Sequence, residues 1–143
     1  MQTGRARAIR RIYSGLVGAT CLALVILTPA TAQFEQRVSV RIKDFTFITK
    51  QAPLQLNVPT LITIYNEDLV RHDFGTTMFQ GVPTRIESGG VVSYGRDIGG
   101  VFIDPGRGAA IRFLTDRPGR SRITCAIHPE MEGEFLMLQA GTA

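Results

Sequence analysis

Hydrophobic residues alternate in short runs along this chain, and this pattern constrains the fold more than any other feature. Val38, Val40 and Ile42 alternate with polar residues, as in a strand that is buried on one face only. A denser β-branched run over residues 61–65 predicts a central strand buried on both faces. No stretch of ten or more residues after residue 33 has a convincing helical period. The sequence therefore predicts an all-β sandwich of short strands joined by turns.

The positions of proline and glycine divide the rest of the sequence into further short strands. A short strand lies between Pro53 and Pro59. Because proline cannot donate a hydrogen bond within a sheet, we expect this strand at a sheet edge. Phe45 and Phe47 continue the apolar alternation of the first strand. Asp116-Arg117-Pro118-Gly119 predicts a β-turn. The remaining predicted strands are 91–92, 101–103, 110–115, 120–126 and 135–138.

Residues 1–32 have the features of an export signal. Four arginines and no acid precede an apolar run over residues 16–27, and Ala30-Thr31-Ala32 has the small-x-small form of a cleavage site. The alternative is a retained membrane anchor, since the apolar stretch 12–28 is at the lower length limit for a span. We expect an exported, periplasmic protein, anchored to the outer face of the inner membrane if the leader is kept.

The basic charge of the chain lies in this leader. The chain has 16 basic and 12 acidic residues, and the four arginines of the leader account for its whole formal charge of +4. The part from Gln33 onward is therefore neutral, and the basic composition gives no support for nucleic-acid binding. Residues 33–143 amount to about 110 residues, which is enough for one β-sandwich domain and too few for two.

The segment Cys125-Ala-Ile-His128-Pro-Glu-Met131 places a thiolate, an imidazole and a thioether within seven residues. The other histidine of the chain is His72, and the other cysteine, Cys21, lies in the leader. A single cysteine cannot form an internal disulfide, and metal ligation would protect it in an oxidising compartment. A thiolate, two imidazoles and a weak thioether are the donors of a trigonal copper site with an axial methionine. We predict one copper ion per chain, bound by these four side chains.

Two regions of the sequence resemble the cupredoxins, the small blue copper proteins that include plastocyanin and amicyanin. Asn66-Glu67-Asp68 through His72 is similar to the region of the first ligand in that family, and Pro118-Gly119 through Met131 to the region of the others. The resemblance covers roughly residues 36–140. It implies a Greek-key β-sandwich. It also implies that His72, Cys125 and His128 are the equatorial copper ligands and that Met131 is the axial ligand.

One residue beside the predicted site departs from the family pattern. The residue after the first histidine ligand is often asparagine in the cupredoxins, where it bridges the two ligand segments, and here it is Asp73. An ionised carboxylate at this position would favour Cu(II) and lower the reduction potential.

The resemblance implies a type 1 copper protein that is not an enzyme and carries single electrons between redox partners. The expected partner is a redox protein, a membrane-bound respiratory or photosynthetic complex or a periplasmic oxidoreductase, with membrane contact only if the leader is retained. The alternative is a copper carrier or an accessory copper-binding subunit of a larger membrane or periplasmic complex. A thiol hydrolase using Cys125 and His128 is disfavoured because no third histidine follows the leader. Zinc is disfavoured because methionine is a poor zinc ligand.

Overall fold

The computed structural model describes residues 34–50 and 53–139, which all belong to the unit Ala32–Ala143. They form eleven β-strands and one 3₁₀ turn. The predicted leader, residues 1–32, lies outside the described residues. The structure therefore does not test whether it is a cleaved signal or a retained anchor. Within the described part of the chain, no helix is long and apolar enough to cross a membrane.

The first sheet contains six strands. These are β1 (Gln36–Lys43), β2 (Thr46–Thr49), β4 (Thr60–Asn66), β6 (Thr84–Ser88), β7 (Val91–Gly95) and β9 (Gly108–Phe113). Their order across the sheet is β2-β1-β4-β9-β6-β7, and all neighbours are antiparallel except the parallel pair β1 and β4. The inward side chains of β1 are the three apolar residues of its alternating pattern, as expected from a period of two.

The second sheet contains five strands. These are β3 (Leu54–Gln55), β5 (His72–Thr76), β8 (Gly100–Ile103), β10 (Gly119–Thr124) and β11 (Glu132–Leu138). Their order is β3-β11-β10-β5-β8, and the 3₁₀ turn Thr77–Phe79 follows β5. The chain crosses repeatedly from one sheet to the other. The predicted all-β Greek-key β-sandwich is therefore confirmed, with β3 at a sheet edge as its prolines indicate.

A single hydrophobic cluster lies between the two sheets. Both sheets contribute fully buried side chains, each of which stabilises the fold by about 1.5–3 kcal/mol relative to an exposed position. Among the largest are Ile42, Ile62 and Ile111 from the first sheet and Phe74, Ile103, Ile123 and Phe135 from the second. Cys125 and Met131 belong to the same cluster, so the predicted metal-binding loop is built onto the core.

Three local predictions differ from the structure. The β-turn predicted at residues 116–119 does not form: residues 114–118 are an irregular connection with no turn or bend, and β10 begins at Gly119. Asp44 and Phe45 form a two-residue turn with φ angles of 50° and 57°, so the chain reverses there and Phe45 does not extend the first strand. In the central strand β4, Leu61 and Ile62 are both buried, but Tyr65 is 49% exposed. The sheet is covered on both faces only at the beginning of that strand.

Candidate metal centre

The pairing of β5 with β10 brings the two predicted ligand segments together. The register places Thr124, the last residue of β10, opposite Gly75 of β5. Because the strands are antiparallel, the residue after β10 lies beside the beginning of β5. The backbone N–H of Asp73 donates a hydrogen bond to Cys125 Sγ at 3.3 Å. The sheet itself therefore holds the first histidine next to the cysteine.

Three of the predicted ligands form one compact group. Cys125 Sγ lies 3.9 Å from Nδ1 of His72 and 3.6 Å from Nδ1 of His128. One donor atom from each residue lies within 4.8 Å of the other two. Both imidazoles thus direct the same ring nitrogen toward the thiol sulfur, which is the arrangement that shared coordination of one ion requires.

The loop between β10 and β11 is closed by its own backbone. The N–H of Met131 donates to the carbonyl of His128 at 3.0 Å, and the N–H of Cys125 donates to the carbonyl of Met131 at 3.3 Å. Met131 is 1% exposed and packs in the cluster that contains Cys125. The sequence-predicted axial ligand is therefore held in the same short loop as the cysteine and the second histidine.

The three residues of this group differ in their exposure to solvent. His72 is fully buried and Cys125 is 2% exposed, whereas His128 is partly exposed. Next to it, Ile127 is 44% exposed. His128 is therefore the most exposed member of the group.

Phe45 contacts both histidines, a role that the sequence did not indicate. Its ring centroid lies 5.3 Å from that of His72 and 4.9 Å from that of His128, with interplanar angles of 85° and 88°. Edge-to-face packing of this kind is favourable for aromatic rings. No pattern in the sequence distinguishes Phe45 from an ordinary strand residue, since the contact depends on the turn at its position.

Asp68 is a second residue whose contact with the site the sequence analysis missed. Its Oδ2 lies 2.8 Å from Nε2 of His72. The sequence identifies it only as part of a turn. An acidic residue four positions before a predicted histidine ligand is the signal that would have indicated the contact.

Asp73 connects the two ligand segments, as the comparison with the cupredoxin pattern suggested. Its carboxylate Oδ2 accepts a hydrogen bond of 3.4 Å from the N–H of Ala126, which follows Cys125. Burial raises the pKa of Asp73 above its usual range, and the hydrogen bond from Ala126 opposes this only in part. The carboxylate is therefore harder to ionise than an exposed one.

The donor set fits copper better than the other common metals. Thiolate and thioether sulfur are soft ligands, and imidazole suits copper in both of its oxidation states. His72, Cys125 and His128, with Met131 nearby, have the pattern of a type 1 copper site.

Several solved structures share the architecture. A multicopper oxidase from Pediococcus acidilactici aligns with a TM-score of 0.56 and 11% identity over 80% of this chain and 28% of its own. A multi-copper oxidase from Pseudomonas thermotolerans aligns with a TM-score of 0.56 and 12% identity over 73% of this chain and 30% of its own. A copper nitrite reductase from Nitrosomonas europaea aligns with a TM-score of 0.54 and 14% identity over 78% of this chain and 50% of its own. The chain has a cupredoxin-like fold.

At these sequence identities, the similarity to the three proteins shows a shared fold and nothing further. The cupredoxin-like chain spans at most half of the length of each of these three proteins. No family model and no curated protein sequence matches it.

The prediction that the protein is not an enzyme is contradicted by these structures. Oxidases and a nitrite reductase, which are enzymes, share its cupredoxin-like fold. A resemblance to small electron carriers is too narrow a basis for that prediction, because one fold can support several functions and the site decides among them.

Proposed function

We propose that this protein binds one type 1 copper ion and passes single electrons between redox partners. The observation that carries the proposal is that Nδ1 of His72 and Nδ1 of His128 both face the buried sulfur of Cys125, at 3.9 and 3.6 Å. Met131 would supply the weak axial thioether. A copper ion bound there would supply a one-electron couple.

The chain keeps these donors in nearly fixed positions. His72 is the first residue of a strand within the second sheet, and two backbone hydrogen bonds close the loop that bears the other three donors. Cys125 and Met131 belong to the buried hydrophobic cluster, and packed side chains resist displacement. Donors that do not move between oxidation states keep the reorganisation small, which favours rapid electron exchange.

The exposed surface beside His128 is the proposed contact for a redox partner. Ile127 is 44% exposed and Phe45 is 45% exposed, and the Phe45 ring packs against both histidines. An apolar surface of this kind permits close approach of a partner to the His128 ring. The neutral charge of residues 33–143 predicts little long-range steering.

A second candidate is an accessory copper-binding subunit, or a copper carrier, of a larger complex. The observation that favours it is that this chain aligns with only 28–50% of the length of each of these copper enzymes, as one part of a longer protein. The periplasmic location, with or without attachment to the membrane, remains a proposal that rests on the sequence of residues 1–32.

Spectroscopy of the copper-loaded full chain tests the proposal. We expect an intense visible sulfur-to-copper charge-transfer band and a type 1 EPR spectrum, both abolished by Cys125→Ser. Cys21→Ser removes the other thiol of the chain and is the matched control, which should leave both signals unchanged. A colourless Cu(II) protein, or an unchanged band in Cys125→Ser, would exclude the site.

Electrochemistry separates the two candidates. A reversible Cu(II)/Cu(I) couple supports electron transfer, whereas stoichiometric transfer of copper to an acceptor protein without a stable couple supports the carrier.

A further inference from the structure

The carboxylate of Asp68 joins the first histidine to the turn between β1 and β2. Its Oδ1 accepts the backbone N–H of Asp44 at 2.7 Å. Its Oδ2 accepts the backbone N–H of Phe45 at 3.0 Å and lies 2.8 Å from Nε2 of His72. One side chain thus contacts two elements that are distant in sequence, and both of them border the candidate metal centre.

We propose that Asp68 is a positioning residue for the metal centre, which holds the His72 ring and the Phe45 turn in place through one carboxylate. The inference rests on the proposed function and deepens it. Asp68 touches neither Cys125 nor the loop of the other ligands in any of its hydrogen bonds, so its effect would pass through His72 and Phe45.

The contact with Asp68 selects the tautomer of His72. A neutral imidazole carries one N–H and one lone pair, and an ionised carboxylate can only accept hydrogen bonds. The proton of His72 therefore sits on Nε2, and the lone pair of Nδ1 faces Cys125 Sγ, 3.9 Å away. His72 is fully buried, so water does not compete for the ring.

Both carboxylate oxygens of Asp68 accept hydrogen bonds from the turn. Oδ1 accepts the amide of Asp44 and Oδ2 accepts the amide of Phe45, and a backbone N–H can only donate. The carboxylate therefore presents an acceptor oxygen to Nε2 of His72 as well.

The same carboxylate supports an unfavourable turn. Asp44 and Phe45 have φ angles of 50° and 57°. Aspartate tolerates this left-handed region, but a bulky residue such as phenylalanine rarely adopts it. The amides of these two residues are the groups that Asp68 binds. The strained conformation places the Phe45 ring across both imidazoles, and strain maintained by surrounding contacts is typical of functional sites.

Asn66 fixes Asp68 from the other side. Asn66 is fully buried, and its Nδ2 donates to the carbonyls of Val70 at 2.8 Å and Ile103 at 3.0 Å. Its Oδ1 accepts the backbone N–H of Asp68 at 3.0 Å. The loop that bears Asp68 is thus attached to the second sheet, which makes Asp68 a rigid support and not a mobile surface acid.

Nitrogen NMR of the metal-free full chain tests the tautomer without any substitution. We expect the His72 ring to carry its proton on Nε2 and to exchange that proton slowly with solvent. A proton on Nδ1, or rapid exchange, overturns the proposal. This measurement does not depend on copper, so its result is independent of whether the proposed function is right. A failure of the proposed function would show separately, as the absence of the sulfur-to-copper band in the unsubstituted protein.

Copper titration then compares two substitutions that each remove one negative charge. Asp68→Asn should weaken Cu(II) binding by about 10-fold or more and should weaken Cu(I) binding less. Glu67→Gln is the matched control, because Glu67 binds Arg41 at 2.7 Å and not a histidine. Equal affinities for Asp68→Asn and Glu67→Gln would overturn the proposal, and so would a ratio of Cu(II) to Cu(I) affinity unchanged by Asp68→Asn.

A double-substitution cycle with Phe45→Leu tests whether one carboxylate serves both groups. We expect the effects of Phe45→Leu and Asp68→Asn on Cu(II) affinity to deviate from multiplicative behaviour by more than about threefold, since coupled residues are not additive. Multiplicative effects would show that Asp68 does not position Phe45 over the histidines.

Discussion

The backbone N–H of Asp73 donates a hydrogen bond to Cys125 Sγ over 3.3 Å, between residues 52 positions apart in sequence. Hydrogen bonds to the cysteine sulfur are one of the features that tune the potential of a blue copper site. The side chain of Asp73 also accepts a hydrogen bond from Ala126. One residue of β5 therefore contacts the ligand loop through both its backbone and its side chain.

Asp73→Asn should raise the reduction potential of the copper-loaded protein. Any ionised fraction of the Asp73 carboxylate favours Cu(II), and the amide removes that charge while retaining an oxygen for the N–H of Ala126. Voltammetry at neutral pH measures the difference. A potential equal to that of the unsubstituted protein would contradict an electrostatic role for Asp73. Asp116→Asn, at an exposed position, is the control for a distant charge.

Asp73→Asn should also stabilise the metal-free protein, and the effect should depend on pH. Burial raises the folded-state pKa of Asp73, so Asp73 contributes stability below its unfolded pKa and loses it as pH rises through the folded pKa. The asparagine variant avoids that loss. We expect its thermal midpoint to exceed that of the unsubstituted protein by a few degrees at pH 7, and the difference to vanish near about pH 3. An equal difference at both pH values would contradict this origin.

Met131→Gln should retain copper but lower the reduction potential. An axial thioether bonds weakly, so its loss leaves three strong donors, and a harder oxygen donor prefers Cu(II). Voltammetry and metal analysis of the loaded protein measure the two effects. Met137→Leu is the control, because Met137 is a buried core residue of β11 outside the ligand loop. Complete loss of copper from Met131→Gln would show that Met131 is required to hold the ion.

Gly100→Ala should destabilise the fold beside the site. A Cβ at Gly100 would lie 2.5 Å from the carbonyl oxygen of Phe74 and 2.8 Å from Cα of Gly75, so β8 would have to move away from β5. We expect a loss of about 1–3 kcal/mol, as for other overpacked positions. Thermal unfolding measures it against Gly99→Ala, where a Cβ would meet no atom within 4 Å. Equal midpoints for the two variants would show that the strand pair tolerates the extra methyl group.

Ile127→Lys should slow electron self-exchange while leaving the visible spectrum nearly unchanged. Two molecules that meet at the His128 surface would then bring like charges together, which opposes the encounter. NMR line broadening of mixed Cu(I) and Cu(II) protein gives the rate, which we expect to fall at least several-fold. Leu114→Lys is the matched control, since Leu114 is 49% exposed and Ile127 is 44% exposed. A larger effect of Leu114→Lys would place the contact surface elsewhere.

Salt should change the self-exchange rate of the unsubstituted protein only a few-fold between low and physiological concentration. Both arginines of β10 are paired with acids of β11: Arg120 lies 2.7 Å from Glu134 and Arg122 lies 3.6 Å from Glu132. These pairs neutralise that strand face. A steep dependence on salt would contradict docking at the apolar surface that Ile127 and Phe45 form beside His128.

The sequence alone determined the local half of the candidate site. Cys125, His128 and Met131 lie in one short loop, so their spacing is sufficient to predict that they are close together. The alternation in β1 likewise predicts which of its side chains are buried, because neighbouring side chains of a strand point to opposite faces. His72 entered the prediction as the only remaining histidine of the chain.

The tertiary structure alone decided what surrounds His72. The pairing of β5 with β10 sets its distance to Cys125, and a contact across more than fifty residues depends on sheet order and register, which no local pattern encodes. The turn at Phe45 and the loop at Asp68 meet only because β1 and β4 lie side by side in the first sheet. Strand periodicity determines which face a side chain occupies, but only the packing of the two sheets determines its neighbours.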